Sequence, residues 1–88
     1  MNLEQMEYIS EVAKVRSISI AAKHLHVTQA AVSQAIIALE KEIDVLIFNR
    51  SRSGTLPTEQ GLIVIEAANV ILRNMEKIRD VGRPLDSN

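Results

Sequence analysis

Two carboxamides and a hydroxyl, Gln29, Gln34 and Ser33, stand close together in a helical stretch, and two guanidinium groups, Arg50 and Arg52, follow beyond a short apolar run. A Gln carboxamide offers a donor and an acceptor side by side, which matches N6 and N7 of adenine, while a Ser hydroxyl serves either role and is less selective. Arg beside a turn can serve phosphates or a narrow minor groove, whose negative potential attracts it, although Arg50 also stands where it can brace the fold. Ile37 falls on the same outward face and can meet a thymine methyl or remain plain surface. Catalytic chemistry is poorly supplied by comparison. Ser, His and Asp occur without a nucleophile elbow, and no Gly-rich phosphate loop exists, so the chain reads as non-enzymatic. His24 and His26 have no Cys and no carboxylate near them in sequence, so neither a metal nor another cofactor is expected.

The elements that must position these groups follow from hydrophobic spacing and cap residues. Asn2 and Gln5 form an Asn-x-x-Gln capping box, after which Leu3, Met6, Ile9, Val12 and Ala13 share one helical face that ends near Val15. Ser17 caps a short second helix with Ile18, Ala21, Ala22 and Leu25 inward. Thr28 caps the third, and the two-residue link His26-Val27 demands left-handed backbone, which His tolerates better than most residues. From Gln29 to Ile43 the inward residues are Val32, Ile36, Leu39 and Ile43, which leaves Ala30, Gln34, Ile37 and Lys41 outward and Ser33 on the flank. Val45 to Phe48 reads as a strand, Ser51 to Thr55 with Gly54 as a turn, and Thr55-Leu56 as a return strand. Thr58 then caps a helix that runs to about Arg79, ended by Gly82 and Pro84. On it Val64, Ala68, Ile71, Met75 and Ile78 keep a coiled-coil spacing, widened by Ile65 and Leu72. The distal half of this stripe has no cover within one chain, and a second copy is the simplest cover.

Composition sets the class. Apolar residues make up 47% of the chain, yet Tyr8 and Phe48 are the only aromatics, so the core is built from aliphatic side chains on helices. Without Cys a disulfide framework is excluded, no apolar run is long enough for a membrane span, and the N-terminus is no signal peptide. A cytoplasmic location is expected. The net charge of −1 hides a segregation: no acid falls between Val12 and Leu39 or between Val45 and Thr58, whereas Lys14, Arg16, Lys23, Arg50 and Arg52 do. A basic face on a neutral protein suits a polyanion, or is simply solvated surface.

Helix, helix, tight turn, helix, hairpin and long helix together read as a mainly α fold: a winged helix-turn-helix, three helices plus a small β-hairpin wing, followed by a long dimerisation helix. The segments Ser17-Ile18-Ser19-Ile20-Ala21-Ala22, Leu25-His26-Val27-Thr28-Gln29-Ala30-Ala31-Val32-Ser33, Leu39-Glu40-Lys41-Glu42, Ile47-Phe48-x-Arg50 and Thr58-Glu59-x-Gly61 closely resemble the N-terminal signature of LysR-type transcriptional regulators. The resemblance implies a winged helix-turn-helix over residues 1–58, with the helix-turn-helix at about 18–37, then a linker helix over 59–82 that pairs two copies and a flexible tail over 83–88. It implies Ser17 and Lys23 on phosphate, Gln29, Ala30, Ser33 and Gln34 at bases or adjacent phosphates, and Arg50, Arg52 and Ser53 in the wing. Thr28 and Ile37 complete the candidate DNA-facing set, and the implied partner is an inverted-repeat operator in double-stranded DNA. In the family a small-molecule-sensing domain follows the linker helix, so the sequence is expected to be a fragment of a regulator whose effector binds elsewhere. The chain departs from the family pattern with Ala30 for Pro, Ile18 for an aromatic, Ile20 for a basic or polar residue and Asp44 for Gly. A protein-interaction module that uses the long helix is the alternative from another class. RNA binding is disfavoured because no exposed aromatics are available to stack unpaired bases.

Overall fold

A computed structural model describes residues 1–83. The element order is α1 (Leu3–Val15), α2 (Ile18–Leu25), α3 (Gln29–Ile43), β1 (Phe48–Ser51), β2 (Gly54–Pro57) and α4 (Glu59–Val81). Each helix begins on the cap residue read from the sequence. Asn2 and Gln5 exchange hydrogen bonds of 2.8 and 2.9 Å, and the hydroxyls of Ser17, Thr28 and Thr58 accept from the backbone of Ile20, Ala31 and Gly61. The ends are as regular. Arg16, His26 and Asp44 close α1, α2 and α3 in left-handed conformation, at φ 59°, 59° and 55°.

The core lies where α1 crosses the other helices, and Ile9, Val12, Val32, Leu39 and Ile47 are its largest fully buried side chains. Met6, Ile36, Ile65, Ala21, Ala22, Ala68 and the two aromatics Tyr8 and Phe48 complete it. Leu3 belonged to the expected inward face but is exposed. Gln5 takes that place: its side chain closes the capping box and also donates from Nε2 to Ala35 O at 3.2 Å, so α3 meets the start of α1 through a polar contact.

The wing begins later than expected. Val45 to Ile47 belong to no strand, and pairing starts at Phe48 in an antiparallel register of Phe48 with Pro57, Asn49 with Leu56, Arg50 with Thr55 and Ser51 with Gly54. Glu40 and Thr58 satisfy this segment instead, through backbone bonds from Val45 N to Glu40 O and from Thr58 N to Ile47 O and through their side chains. The Glu40 carboxylate accepts from Ile47 N at 2.8 Å and Phe48 N at 3.3 Å, and the Thr58 hydroxyl donates to Leu46 O. The hairpin is tied back to the α1–α2 junction by Thr55 N donating to Arg16 O at 3.1 Å. At Gly54, φ is +121° and a Cβ would stand 2.9 Å from that same carbonyl, so the approach requires glycine.

Thr58 roots α4 by donating from its backbone N–H to Ile47 O at 2.9 Å. A Cβ on Gly61 would lie 2.0 Å from the same Ile47 oxygen, which explains glycine one turn into the helix. α4 then runs past the expected Arg79 to Val81 and is capped by Gly82, whereas Pro84 and, beyond Arg83, the rest of the tail expected over 83–88 lie outside the described residues. Ile65 and Ala68, read as part of the pairing stripe, are buried in the chain's own core.

Two substitutions test the α3–β1 junction. Asp44 makes no side-chain hydrogen bond among the described residues, so Asp44→Gly removes only the steric cost of left-handed geometry. The thermal midpoint is expected to hold or rise by a few degrees; a fall of several degrees would show that the Asp44 side chain is needed. Glu40→Ala has the opposite expectation, because it strands two backbone donors at once. A loss of roughly 2–3 kcal/mol in stability is expected by denaturant titration. A wild-type midpoint would show that water replaces the carboxylate.

Candidate nucleic-acid interface

The Thr28 cap places Gln29 and Ala30 in the exposed first turn of α3, and Gln34 and Ile37 follow them into solvent. Ser33 is half-buried on the flank of that face. Two of the expected DNA-facing residues are brought together across the fold: Arg50 in β1 donates from Nη2 to Ser33 Oγ at 3.0 Å. The wing and α3 therefore form one surface, and the bracing role considered for Arg50 is realised by a side chain that also faces solvent.

Arg52 and Ser53 form the tip between the strands, both exposed, with Ser53 Oγ sharing a 2.9 Å hydrogen bond with Ser51 Oγ. Lys23 is exposed in the last turn of α2. Ser17 is more committed, since its hydroxyl accepts from Ile20 N at 3.1 Å and is hydrogen-bonded to Ser19 Oγ at 3.1 Å. Thr28 is likewise engaged as a cap and contributes mainly by fixing where α3 starts.

The cations of this face stand outside the ion pairs of the described residues, as do Lys14, Arg16, Lys41, Arg73 and Lys77. The ion pairs among the described residues are Met1 N-terminus with Glu42, His24 with Glu11, Arg79 with Glu76, and Arg83 with Glu76 and Asp80. Lys23, Arg50 and Arg52 take part in none of them, so their charges are not neutralised within the described chain. Such cations are what a phosphate backbone recruits, because each one that meets a phosphate releases a condensed counterion.

His24 departs from its expected surroundings. Its Nδ1 lies 2.7 Å from Glu11 Oε2, a carboxylate distant in sequence that the packing of α2 on α1 brings near. One carboxylate does not make a metal centre, and no cluster of three or more His, Cys, Asp or Glu among the described residues is arranged to hold a metal. Glu40 is the structural residue that spacing alone did not reveal. Its two partners are backbone groups seven and eight residues on, and no local rule connects a helical Glu to such donors.

α4 carries a second candidate surface. Val64, Leu72 and Met75 are half-buried against the domain, while Ile71 and Ile78 are 39% and 73% exposed. Ile63, Val70 and Val81, outside the expected stripe, are exposed as well. Beside them lies an apolar groove of about 380 Å³ between α4 and the ends of α1 and α3, lined by Met1, Met6, Leu39, Ile43, Val45 and Ile63 among others. No helix among the described residues is long and apolar enough to cross a membrane.

Comparison with known proteins agrees with this geometry. The nitrogen assimilation regulatory protein nac of Klebsiella aerogenes is 36% identical over 89 aligned residues, which cover 97% of this chain and 29% of that protein. Among solved structures, the CbnR DBD–DNA complex superposes with a TM-score of 0.81 at 32% identity, covering 94% of this chain and all of that one (100%). The BenM DBD in complex with catB site 1 DNA gives a TM-score of 0.88 at 25% identity, covering 92% and 91%. The model of bacterial regulatory helix-turn-helix proteins of the lysR family matches residues 3–62, most of the described chain, and the protein belongs to that family.

Proposed function

We propose that this chain is the DNA-binding part of a transcription regulator and binds an inverted-repeat operator as a homodimer, with α3 in the major groove and the wing at the flanking minor groove. The observation that carries the reading is the joined surface of α3 and β1, on which uncharged polar side chains project from one helix face and unpaired Arg groups flank it. Relatives solved with DNA share the fold.

Roles follow from chemistry. Gln29 and Gln34 are assigned to base edges, Ala30 and Ile37 to apolar contact within the groove, and Ser33 to a hydrogen bond there. Lys23, Arg52 and the wing-tip Ser53 are assigned to phosphate, with Ser17 and Thr28 holding helix starts, and their N–H groups, against the backbone. Contacts of the second kind orient the domain and carry no sequence information.

The homodimer is assigned to α4. Ile71 and Ile78 leave an apolar face that water disfavours, with Val64, Leu72 and Met75 at its inner edge; Ile65 and Ala68 support it from the core. The proposed division is residues 1–58 for recognition and 59–82 for pairing. The chain spans 29% of the length of the Klebsiella relative, and the small-molecule effector that the family implies is assigned to the part of such a regulator beyond the long helix. The cytoplasm, where operator DNA lies, is the proposed location.

A mobility-shift titration against random genomic duplex at low and moderate salt separates this reading from that of a protein-interaction module, which would leave DNA unshifted. Within the DNA reading, Gln29→Ala is expected to remove about 1–3 kcal/mol at one base position while non-specific affinity stays nearly intact. Arg52→Ala is expected to weaken every sequence and to reduce the salt slope by roughly one for each phosphate that the guanidinium neutralises. Titration of both variants on a selected inverted repeat and on scrambled DNA checks this; equal weakening of both DNAs by Gln29→Ala would reassign the reading face. Ile78→Asp tests the pairing surface without disturbing the chain's own core. A charge placed in that seam is expected to cost roughly 3 kcal/mol, about 100-fold in the dimer dissociation constant. Sedimentation equilibrium reads it, and an unchanged dimer would move the interface elsewhere.

A further inference from the structure

A serine hydroxyl has one proton and two lone pairs. In Ser33 one lone pair is taken by Arg50, whose Nη2 donates to it at 3.0 Å, and this is the only partner of that hydroxyl among the described residues. A cationic donor on the oxygen disfavours any rotamer that aims the O–H proton back at the guanidinium, so the proton turns away from it. Serines inside helices commonly give that proton to the carbonyl one turn earlier. Ser33 makes no such bond, and it stands half-buried on the flank of the face that carries Gln29 and Gln34.

Resting on the DNA reading above, we infer that Arg50 is a positioning residue that holds the Ser33 hydroxyl as a hydrogen-bond donor, so that Ser33 engages an acceptor atom of DNA. That acceptor is a base-edge oxygen or nitrogen or a phosphate oxygen. In the major groove guanine, adenine and thymine each present an acceptor, whereas cytosine presents only its N4 donor. The wing thereby shapes what α3 reads while Arg50 itself touches no base. The acid-free stretches around both residues suit this role, because no carboxylate among the described residues competes for the Arg50 guanidinium.

The test measures wild type, Ser33→Ala, Arg50→Ala, Arg50→Lys and the Ser33→Ala/Arg50→Ala double variant on a randomised duplex library and on the site it selects. Neither side chain belongs to the core, and a thermal melt of each variant confirms the fold. Ser33→Ala is expected to weaken binding about 3- to 10-fold in the wild-type background and to have no further effect once Arg50 is Ala. Arg50→Lys, which keeps a cationic donor, is expected to restore the dependence on Ser33. With an acceptor on a base, Ser33→Ala and Arg50→Ala flatten preference at the same position, where wild type disfavours cytosine. With a phosphate, both lower affinity evenly on every sequence, and the two effects remain non-additive. The inference is overturned if Ser33→Ala has no effect in wild type, if its full effect survives in the Arg50→Ala background, or if the Ser33-dependent position prefers cytosine. Failure of wild type to bind any duplex would instead overturn the DNA reading itself, and this inference with it.

Discussion

A single carboxylate lets α3 and the wing share one body. Between Asp44 and Phe48 the chain belongs to no helix or strand, and no strand lies beside it to take its hydrogen bonds. Buried backbone donors left without partners would cost about 1–3 kcal/mol each. Glu40 supplies the acceptor for two of them, and because Glu40 is itself part of α3, the bond fixes how β1 departs from that helix. The carbonyl side is served by Thr58, whose hydroxyl and N–H meet the oxygens of Leu46 and Ile47. The short segment from 45 to 48 is thus clamped between the last turns of α3 and the first turn of α4. Ile47 can then be fully buried at the centre of the domain although it belongs to no regular element.

Much of this was legible from residue types because helix starts are chemically explicit. Ser, Thr or Asn with a free side-chain oxygen is a strong local signal, and the starts at Leu3, Ile18, Gln29 and Glu59 followed from it. The left-handed residues at His26 and Asp44 were legible from the short connections they serve. Arg16 adopts the same conformation at the equally short link between α1 and α2, but nothing in its side chain announces it, and its carbonyl also accepts from Thr55 N of the hairpin.

The strand misplacement has its own origin. Val45 to Phe48 has the composition of a strand, but Val45 to Ile47 bond to the Glu40 and Thr58 side chains and to the backbone of the same two residues, and the strand pairing runs from Phe48 through Asn49, Arg50 and Ser51, the last three of which are exposed and show no alternation. For the candidate site, sequence spacing identified the outward face of α3 and the basic character of the wing. It could not show that Ser33 and Arg50 touch, since contact across 17 residues depends on the clamp at Glu40. The pairing stripe on α4 was likewise read from periodicity alone. Periodicity does not say which side of a stripe the chain keeps for itself, and Ile65 and Ala68 proved to belong to the intrachain core.

The close approach of Gly61 to Ile47 has a mechanical consequence. α4 contains 23 residues, a rod of about 35 Å at the usual rise, and its base is locked by backbone contact to the same peptide that starts the hairpin. A flexible linker of equal residue count would wander with a root-mean-square span of about 26 Å and lose all memory of direction. The helix behaves instead as a cantilever without slack. A load on its far end would meet no break in the helix before the base of the wing, and the close approach at that joint requires the absence of one methyl group.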